Sequence, residues 1–374
     1  MGGGVLCFFL VMSVCRGVSV AFIDNTAPRR DLNNEIMDAH DGSVQRFPSA
    51  AGAGAAFWMH TLSYGLCVAP TPLGCDKTTD HCGFQLDHNV SIYTSPDLTS
   101  WSYVGLAFPL ESRPPGTLFR PSVVWNRAAR QFVMWVNFVN ESVNLHGYAA
   151  LVAATPLGPF ELAVPAVNLT NATKGGDYQI FVDDDATAYV IYSSLHWMAV
   201  EELTPDYLAS TGRTSGIFGP YFVEAPIMFK RAGVYYSMFG HCCCFCAQGS
   251  GGYVYTAPAP LGPWTLQAPA AEADVVCAPP PPPSAARGAG SPTPGQGCLY
   301  NGSDEVAVTK SQASYVVRVP TPNGTVLLWA GDRWGQSPDG LKGHEPQYWA
   351  PLAFLSDGRV KHVEWVDNFT LTIE

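Results

Sequence analysis

A short turn motif recurs three times along the chain and constrains the fold more than any other feature. Each copy follows a run of β-forming residues and ends in an aromatic residue that opens another such run. The copies are Ser95–Trp101, Thr155–Phe160 and Ala259–Trp264. We interpret each as a tight turn between the third and fourth strands of a four-stranded unit, with the aromatic side chain filling the space between sheets. Units repeated about every 50–70 residues are typical of a β-propeller.

Five such units can be placed along the chain. They begin at Asp41, Arg120, Asp177, Glu224 and Gln312. The fifth is expected to end with Val363–Trp365. The 36 Gly, 31 Pro and low charged fraction of 14% favour many short strands and turns over helices. The sequence therefore predicts an all-β fold, a single five-bladed β-propeller, with a pair of β-sandwiches as the alternative.

The first 21 residues are predicted to be a secretory signal peptide. The apolar run Val5–Met12 precedes a small-x-small cleavage signal at Ser19–Ala21, although no Lys or Arg comes first. The alternative, an uncleaved anchor, would need a longer apolar run to span a bilayer. We therefore expect a secreted protein whose domain covers residues 22–374, with no membrane contact once the leader is removed.

The net charge limits the classes of molecule that the protein is expected to bind. A formal net charge of −11 argues against nucleic acid and suits a soluble secreted protein with a neutral ligand. The sequence contains no phosphate-binding glycine loop, no Ser-His-Asp signature and no convincing zinc pattern. We expect a monomer that needs no cofactor and no metal.

Cysteines and sequons fit an oxidising compartment. Disulfides are the default there, and nine cysteines outside the leader leave at least one unpaired. The run Cys242–Cys246 is too tight for a spaced zinc site. Seven Asn-x-Ser/Thr sequons predict a glycoprotein: Asn89, Asn140, Asn168, Asn171, Asn301, Asn323 and Asn368. Two segments look inserted, Pro70–Cys82 and a Pro-rich loop over residues 268–302, whose Cys277 and Cys298 can close it.

One carboxylate stands out in the apolar stretch Tyr221–Lys230. Glu224 opens a predicted strand and has apolar neighbours on both sides. A desolvated carboxyl has a raised pKa and stays protonated near neutral pH, as a general acid must. The alternative is a surface Glu at the start of a strand.

Several stretches, in order and spacing, are similar to one enzyme family. They are Ile36–Gly42, Ser95–Trp101, Asp177–Tyr189, Glu224–Tyr236, Ser311–Gln312 and Gly331–Trp334. The chain resembles glycoside hydrolase family 43, and within it the exo-β-1,3-galactanases. The resemblance implies a five-bladed β-propeller with its active site at one mouth of the central channel, lined by the innermost strand of each blade.

The resemblance also implies catalytic roles. Glu224 matches the general acid, and Asp177 matches the carboxylate that modulates the pKa of the acid, although Asp177 after two glycines also fits a turn. The base has two candidates. Gln312 fits the galactanase position, and Asp41 fits the Asp used by most of the family, where the galactanases have Gly. Overall resemblance favours Gln312, while a carboxylate is the simpler base; a turn Asp and a strand-edge amide are the plain alternatives.

Other positions are candidates for substrate binding. Phe119 stands where the galactanase pattern has a sugar-binding Glu, which puts the galactose specificity in doubt. Trp334 and Tyr148 are candidates to stack on sugar faces, as are Trp125, Trp135, Trp197 and Trp349, with blade packing as the alternative. His40 is interpreted as a residue of the pocket floor rather than a metal ligand.

The sequence thus predicts a glycosidase that releases β-linked galactose from β-1,3-galactan with inversion, and therefore a carbohydrate partner. Two alternatives remain open. One is an arabinofuranosidase or xylosidase of the same fold, which Asp41 as base favours. The other is a non-catalytic carbohydrate-binding propeller, to which Phe119 points.

Overall fold

The computed structural model describes residues 18–54, 56–68, 88–114, 116–140, 145–172, 175–194, 196–221, 223–241, 247, 249–267 and 309–374. The predicted insertions 70–82 and 268–302, the cysteine run 242–246 and residues 1–17 of the predicted leader lie outside this part of the chain. The described residues form 21 strands and three 3₁₀ turns, Ser49–Ala51, Leu110–Ser112 and Lys342–His344. None of their helices is long and apolar enough to cross a membrane.

Strand β1 (Ser19–Asp24) pairs with the last strand, and the strands between them form five antiparallel sheets, the blades. Blade 1 contains β2 (His40–Arg46), β3 (Phe57–Ser63), β4 (Asn89–Ser95) and β5 (Ser102–Leu106). Blade 2 contains β6 (Thr117–Asn126), β7 (Gln131–Asn140), β8 (Leu145–Ala153) and β9 (Glu161–Val164). Blade 3 contains β10 (Tyr178–Val182), β11 (Ala188–Ser194), β12 (Trp197–Leu203) and β13 (Ser210–Phe218).

Blade 4 contains β14 (Val223–Arg231), β15 (Val234–His241), β16 (Tyr253–Ala257) and β17 (Thr265–Leu266). Blade 5 contains β18 (Gln312–Thr321), β19 (Gly324–Asp332) and β20 (Gln347–Pro351), and β21 (Asn368–Ile373) ends the chain. The first strand of each blade contacts the first strand of the next, and β18 contacts β2. The ring is therefore closed, and the prediction of a single five-bladed β-propeller is confirmed.

The hydrophobic cores lie between neighbouring blades, because each sheet buries both faces against its neighbours. Clusters of buried side chains join blade 1 to 2, 2 to 3, 3 to 4, 4 to 5 and 5 to 1. Trp101 and Phe160, the last residues of two of the predicted turns, are each 1% exposed within these clusters. Trp264, the third, is partly buried and packs between blades 3 and 4. The three turns connect the third and fourth strands as predicted.

A two-stranded ribbon of β1 and β21 packs against the core between blades 5 and 1. Ala21 and Ile23 pack with the core between blades 5 and 1, and Asn25 Nδ2 donates to the Trp349 carbonyl at 2.8 Å. The predicted cleavage point before Phe22 falls within β1. The prediction that blade 5 ends with Val363–Trp365 is wrong, because those residues are not a strand and the next strand pairs with β1 rather than with blade 5.

The sequons differ in exposure. Asn168, Asn323 and Asn368 are exposed, whereas Asn89 is 1% exposed and its side chain donates to the Phe108 carbonyl and accepts from the Val90 N–H. Asn89 is therefore inaccessible in the folded protein, and the glycoprotein prediction depends on the exposed sequons.

Candidate active site

Bulges at the start of four innermost strands shape one mouth of the propeller. The register shifts between His40 and Ser43, Phe119 and Ser122, Glu224 and Ile227, and Ala313 and Tyr315. Asp41, Arg120 and Ala225 at these bulges have φ of 55°, 51° and 60°. A bulge bends its strand and re-aims the side chains beside it, and backbone strain of this kind is concentrated at functional sites. The bulges lie at corresponding points of their blades, so they bring residues distant in sequence to one place.

Gly42 in the first bulge makes a close backbone approach that supports a stability prediction. A Cβ atom there would lie 2.1 Å from the His60 carbonyl oxygen of β3. Gly42→Ala should therefore separate β2 from β3 and lower the free energy of unfolding by at least about 1–3 kcal/mol. Urea denaturation measures this loss. Gly52→Ala is the control, because its Cβ meets no atom within 4 Å and only its φ of 71° is unfavourable. Equal losses in both variants would contradict the steric argument.

Three side chains form a hydrogen-bonded chain at this mouth. Trp334 Nε1 donates to Gln312 Oε1 at 2.8 Å, and Gln312 Nε2 donates to Glu224 Oε1 at 2.7 Å. Since an indole N–H can only donate, it fixes which end of the Gln312 amide faces Glu224. Glu224 and Gln312 are 6% and 5% exposed. Glu224, the predicted acid, is thus held by Gln312, which is one of the two candidates for the base.

A buried ion pair supports this chain from below. Lys342 Nζ lies 3.0 Å from Glu345 Oε2 and 4.1 Å from the centre of the Trp334 ring. Glu345 Oε1 in turn accepts from the Gly335 N–H at 2.8 Å. A cation over an indole face is attracted by the ring electrons, so Lys342 holds Trp334 in the orientation that points Nε1 at Gln312.

Arg120 joins two carboxylates from other parts of the ring, Asp41 and Asp177. Its Nε lies 3.0 Å from Asp177 Oδ1, its Nη2 lies 3.5 Å from Asp41 Oδ1, and its Nη1 donates to the Ala313 carbonyl at 3.1 Å. Asp177 Oδ2 accepts from the Ala225 N–H at 3.1 Å, next to Glu224. Asp41, Asp177 and Glu224 are therefore brought to one site, with a single guanidinium between the first two.

Removal of this guanidinium should have a pH-dependent cost. Arg120→Met would leave Asp41 and Asp177 close together without their cation. Removing one partner of a buried ion pair lowers the free energy of unfolding by about 3–5 kcal/mol. The loss of unfolding free energy should be large at pH 8 and smaller at pH 5, where protonation of Asp41 relieves its repulsion with Asp177. Urea denaturation at both pH values tests this, with Arg318→Met as the control for an exposed arginine. A loss independent of pH would contradict the electrostatic cause.

Asp332 locks the bulge that carries Asp41. This carboxylate is 0% exposed and accepts from the Asp41 N–H at 3.1 Å, from Gln347 Nε2 at 3.1 Å and from the Ser314 hydroxyl. Burial raises the pKa of Asp332. Burial also raises the pKa of Asp41 to about 7; Arg120 opposes this rise, and the charges of Asp177 and Asp332 add to it.

Two further predicted site residues, His40 and Tyr148, are buried and support the side chains of the site. His40 is 0% exposed, its ring lies 5.5 Å from the rings of Tyr64 and Trp334, and burial lowers its pKa to about 3. It is therefore neutral and supports Trp334 from behind. Tyr148 is 1% exposed, and its hydroxyl donates to the Gly176 carbonyl at 2.8 Å and accepts from the Gly176 N–H at 2.9 Å. It buttresses the backbone that leads into Asp177.

Phe119 is 8% exposed and packs in the core between blades 1 and 2 that also contains Trp334. Among the other aromatic candidates, Trp135 and Trp349 are fully buried and Trp125 packs on the same core as Phe119. Trp197 is partly exposed at the start of β12. Trp125 is also partly exposed and lines the channel cavity, so Trp125 and Trp197 both keep part of the ring accessible.

The sequence did not single out three residues on which the site depends, Arg120, Asp332 and Lys342. Asp332 lies in a stretch similar to the family and Arg120 follows the compared position Phe119, so their positions carried a signal but their contacts did not. A cavity of about 780 Å³ fills the channel beyond the bulges and is lined by all five innermost strands. Asp41, Glu224 and Gln312 do not line it, so the carboxylates lie at the end of the channel where the strands begin. Within the described residues, no group of three or more His, Cys, Asp or Glu side chains is arranged to hold a metal ion.

Comparison with known proteins places this geometry in context. The family profile of glycosyl hydrolases family 43 matches residues 78–273. A β-D-galactofuranosidase from Aspergillus niger is 30% identical over 190 residues, which are 46% of this chain and 54% of that protein. An arabinoxylan arabinofuranohydrolase from Bacillus subtilis is 24% identical over 220 residues, 48% of this chain and 42% of that protein. The chain thus spans about half the length of the curated relatives it matches.

The fold has a close counterpart among solved structures. An exo-β-1,3-galactanase from Clostridium thermocellum superimposes with a TM-score of 0.68 at 21% identity, over 93% of this chain and 66% of that one. At this identity the likeness supports the fold.

Proposed function

Because the chain belongs to glycosyl hydrolases family 43, we propose that it hydrolyses O-glycosidic bonds of a polysaccharide or proteoglycan glycan with inversion. The observation that carries the proposal is the meeting of three carboxylates at one mouth of the propeller: Asp41 and Asp177 flank Arg120, and Asp177 accepts from the Ala225 N–H next to Glu224. Inverting hydrolysis needs an acid for the leaving oxygen and a base that activates water on the opposite face of the sugar.

Glu224 is proposed as the general acid. Its carboxyl is almost buried, and Gln312 Nε2 donates a hydrogen bond to Oε1, which fixes the orientation of the group that is to protonate the glycosidic oxygen. Asp177 is proposed to orient the sugar and act electrostatically on Glu224, to which it is linked through the Ala225 N–H. Because Arg120 balances part of the Asp177 charge, this effect on the acid is smaller than a free carboxylate would exert.

Asp41 is proposed as the general base in preference to Gln312. An inverting acid and base stand about 6.5–9.5 Å apart to admit water and sugar, whereas Gln312 Nε2 is 2.7 Å from Glu224 Oε1. Both ends of the Gln312 amide are also occupied, by Glu224 and Trp334. Asp41 is held by Arg120, and its raised pKa makes it a stronger base than an ordinary carboxylate. Gln312 then acts as a positioning residue for the acid.

The proposed substrate is β-1,3-linked galactan, with galactose as the released sugar. Support comes from the sequence stretches shared with the exo-β-1,3-galactanases and from a fold that superimposes on such an enzyme. A second candidate is a furanosidase that releases arabinofuranose or galactofuranose. It is favoured by Asp41 at the base position, by Phe119 in place of a polar group, and by the two curated relatives.

A substrate panel separates these candidates. β-1,3-Galactan, β-galactofuranoside, α-arabinofuranoside and β-xyloside are offered to the wild type and to Glu224→Gln, and the released sugar is measured. Release of galactose from galactan, lost in Glu224→Gln, supports the first candidate. Release from a furanoside alone supports the second. No release from any substrate contradicts the proposed hydrolysis.

A further inference from the structure

Three rings gather on the rim of the mouth, on the side where Glu224 stands. Ser194 at the end of β11 pairs with Trp197 at the start of β12, and His196, immediately before Trp197, has φ of 67°. The Trp197 and Tyr221 rings are 5.5 Å apart, and those of His196 and Tyr221 are 6.2 Å apart. We call His196, Trp197 and Tyr221 the aromatic rim. Tyr221 is 38% exposed, and the other two are partly exposed.

Backbone hydrogen bonds fix the aromatic rim to the catalytic residues. Val223 immediately precedes Glu224, and its N–H donates to the His196 carbonyl at 3.1 Å. The Ser193 N–H donates to the Asp177 carbonyl at 2.7 Å, and the Ser193 hydroxyl donates to the Val223 carbonyl at 3.0 Å. This part of the aromatic rim therefore keeps a fixed position relative to both carboxylates.

We infer that the aromatic rim binds the sugar on the leaving-group side of the cleaved bond. A general acid must lie within hydrogen-bond reach of the glycosidic oxygen. Residues beside the acid and toward solvent then face the sugar beyond that oxygen, and Tyr221 stands three residues before Glu224. The C–H faces of sugars are apolar and pack on aromatic rings, while the phenol and imidazole can hydrogen-bond to hydroxyls. The core aromatics cannot do this, because they are buried between blades.

The inference rests on the proposed glycosidase function and specifies its substrate. The rim favours a chain of at least two sugars over a single sugar on a small leaving group. It also provides a binding role for the tyrosine, which the sequence similarity did not indicate.

Binding in the absence of turnover tests the inference. The Glu224→Gln variant and the double variant Glu224→Gln/Tyr221→Ala are titrated calorimetrically with β-1,3-galactotriose and, separately, α-1,5-arabinotriose. The trisaccharide that binds should bind about tenfold more weakly to the double variant, the loss expected for one stacking contact. Glu224→Gln/Tyr221→Phe should restore the affinity. Glu224→Gln/Tyr103→Ala is the matched control, because Tyr103 is an exposed aromatic (47%) on the outer strand of blade 1.

The outcomes separate this inference from the proposed function. Equal affinities with and without the Tyr221 ring, or binding of neither trisaccharide to folded Glu224→Gln protein, overturn the role of the aromatic rim. Affinity that depends on Tyr221 while the wild type hydrolyses nothing supports the rim and contradicts the proposed hydrolysis. Thermal unfolding of each variant confirms that it is folded.

Discussion

Replacing Glu224 with Gln is expected to lower kcat on the natural glycan by about 10²–10⁴-fold, the usual contribution of a general acid. The amide has nearly the same shape as the carboxyl, and its oxygen can still accept the hydrogen bond from Gln312 Nε2. It cannot donate a proton to the leaving oxygen as a carboxylic acid does. The variant should therefore fold and bind the glycan while losing turnover.

The leaving group supplies a sharper test of this role. A nitrophenyl glycoside departs without full protonation, so Glu224→Gln should lose much less activity on it than on the glycan. Glu364→Gln is the control for the substitution, because Glu364 is exposed and its side chain lies outside the site. Equal losses on both substrates would show that Glu224 binds or positions and does not donate the proton. Unchanged activity on the glycan would rule it out as the acid.

Replacing Asp41 with Asn is expected to lower kcat/KM by about 10²–10⁴-fold if Asp41 is the base. In the wild type, kcat/KM should rise as pH increases through about 7, because burial raises the pKa of Asp41 to about 7 and only the ionised form removes a proton from water. The variant should lack this step in its pH profile. Gln312 does not titrate, so its use as base predicts no such step.

The same substitution should change stability in the opposite direction. The pKa of Asp41 is about 7 in the folded protein and has an ordinary value of 3.8. Between these values the folded chain holds a proton that the unfolded chain has released, so this contribution to stability is full below about pH 4 and is lost as pH rises to about 7. A gap of this size corresponds to at most about 4 kcal/mol. Asp41→Asn should thus be more stable than the wild type at pH 8 and similar to it at pH 4, as urea denaturation can measure.

Gln312→Ala completes the comparison. Because Gln312 is a positioning residue, Gln312→Ala should lower kcat about tenfold and leave the step near pH 7 in the pH profile of kcat/KM. A larger loss than that of Asp41→Asn, with no step in the wild type, would assign the base to Gln312.

Much of the fold could be predicted from local patterns. The turns at Ser95–Trp101, Thr155–Phe160 and Ala259–Trp264 encode the same corner in three blades, because an aromatic side chain must fill each gap between sheets. The first strands of the blades could be placed because apolar runs follow each candidate site residue. Glu224 was recognisable since a carboxylate within an apolar strand needs a special environment.

The contacts inside the site could not be predicted in this way. Arg120 binds Asp41 and Asp177 from other blades, and no periodicity encodes pairs separated by about 60–80 residues. The bulges could not be predicted either, because a left-handed φ at Asp41 or Arg120 is set by tertiary contacts rather than by the residue itself. The terminal ribbon was missed for a related reason. Ser19–Ala21 fit a leader by composition, whereas their pairing with β21 depends on residues at the other end of the chain.

The anomeric configuration of the first released sugar shows whether Glu224 and Asp41 act as an inverting acid and base. Proton NMR follows the reaction of β-1,3-galactan with the wild type during the first minutes, before mutarotation mixes the anomers. We expect α-galactose as the first product, because water activated by Asp41 attacks the face opposite to the leaving oxygen protonated by Glu224. If the furanoside is the substrate, the released sugar should likewise have the configuration opposite to that of the bond cleaved. A first product with retained configuration, from either substrate, would contradict the assignment of Glu224 and Asp41 as an inverting pair.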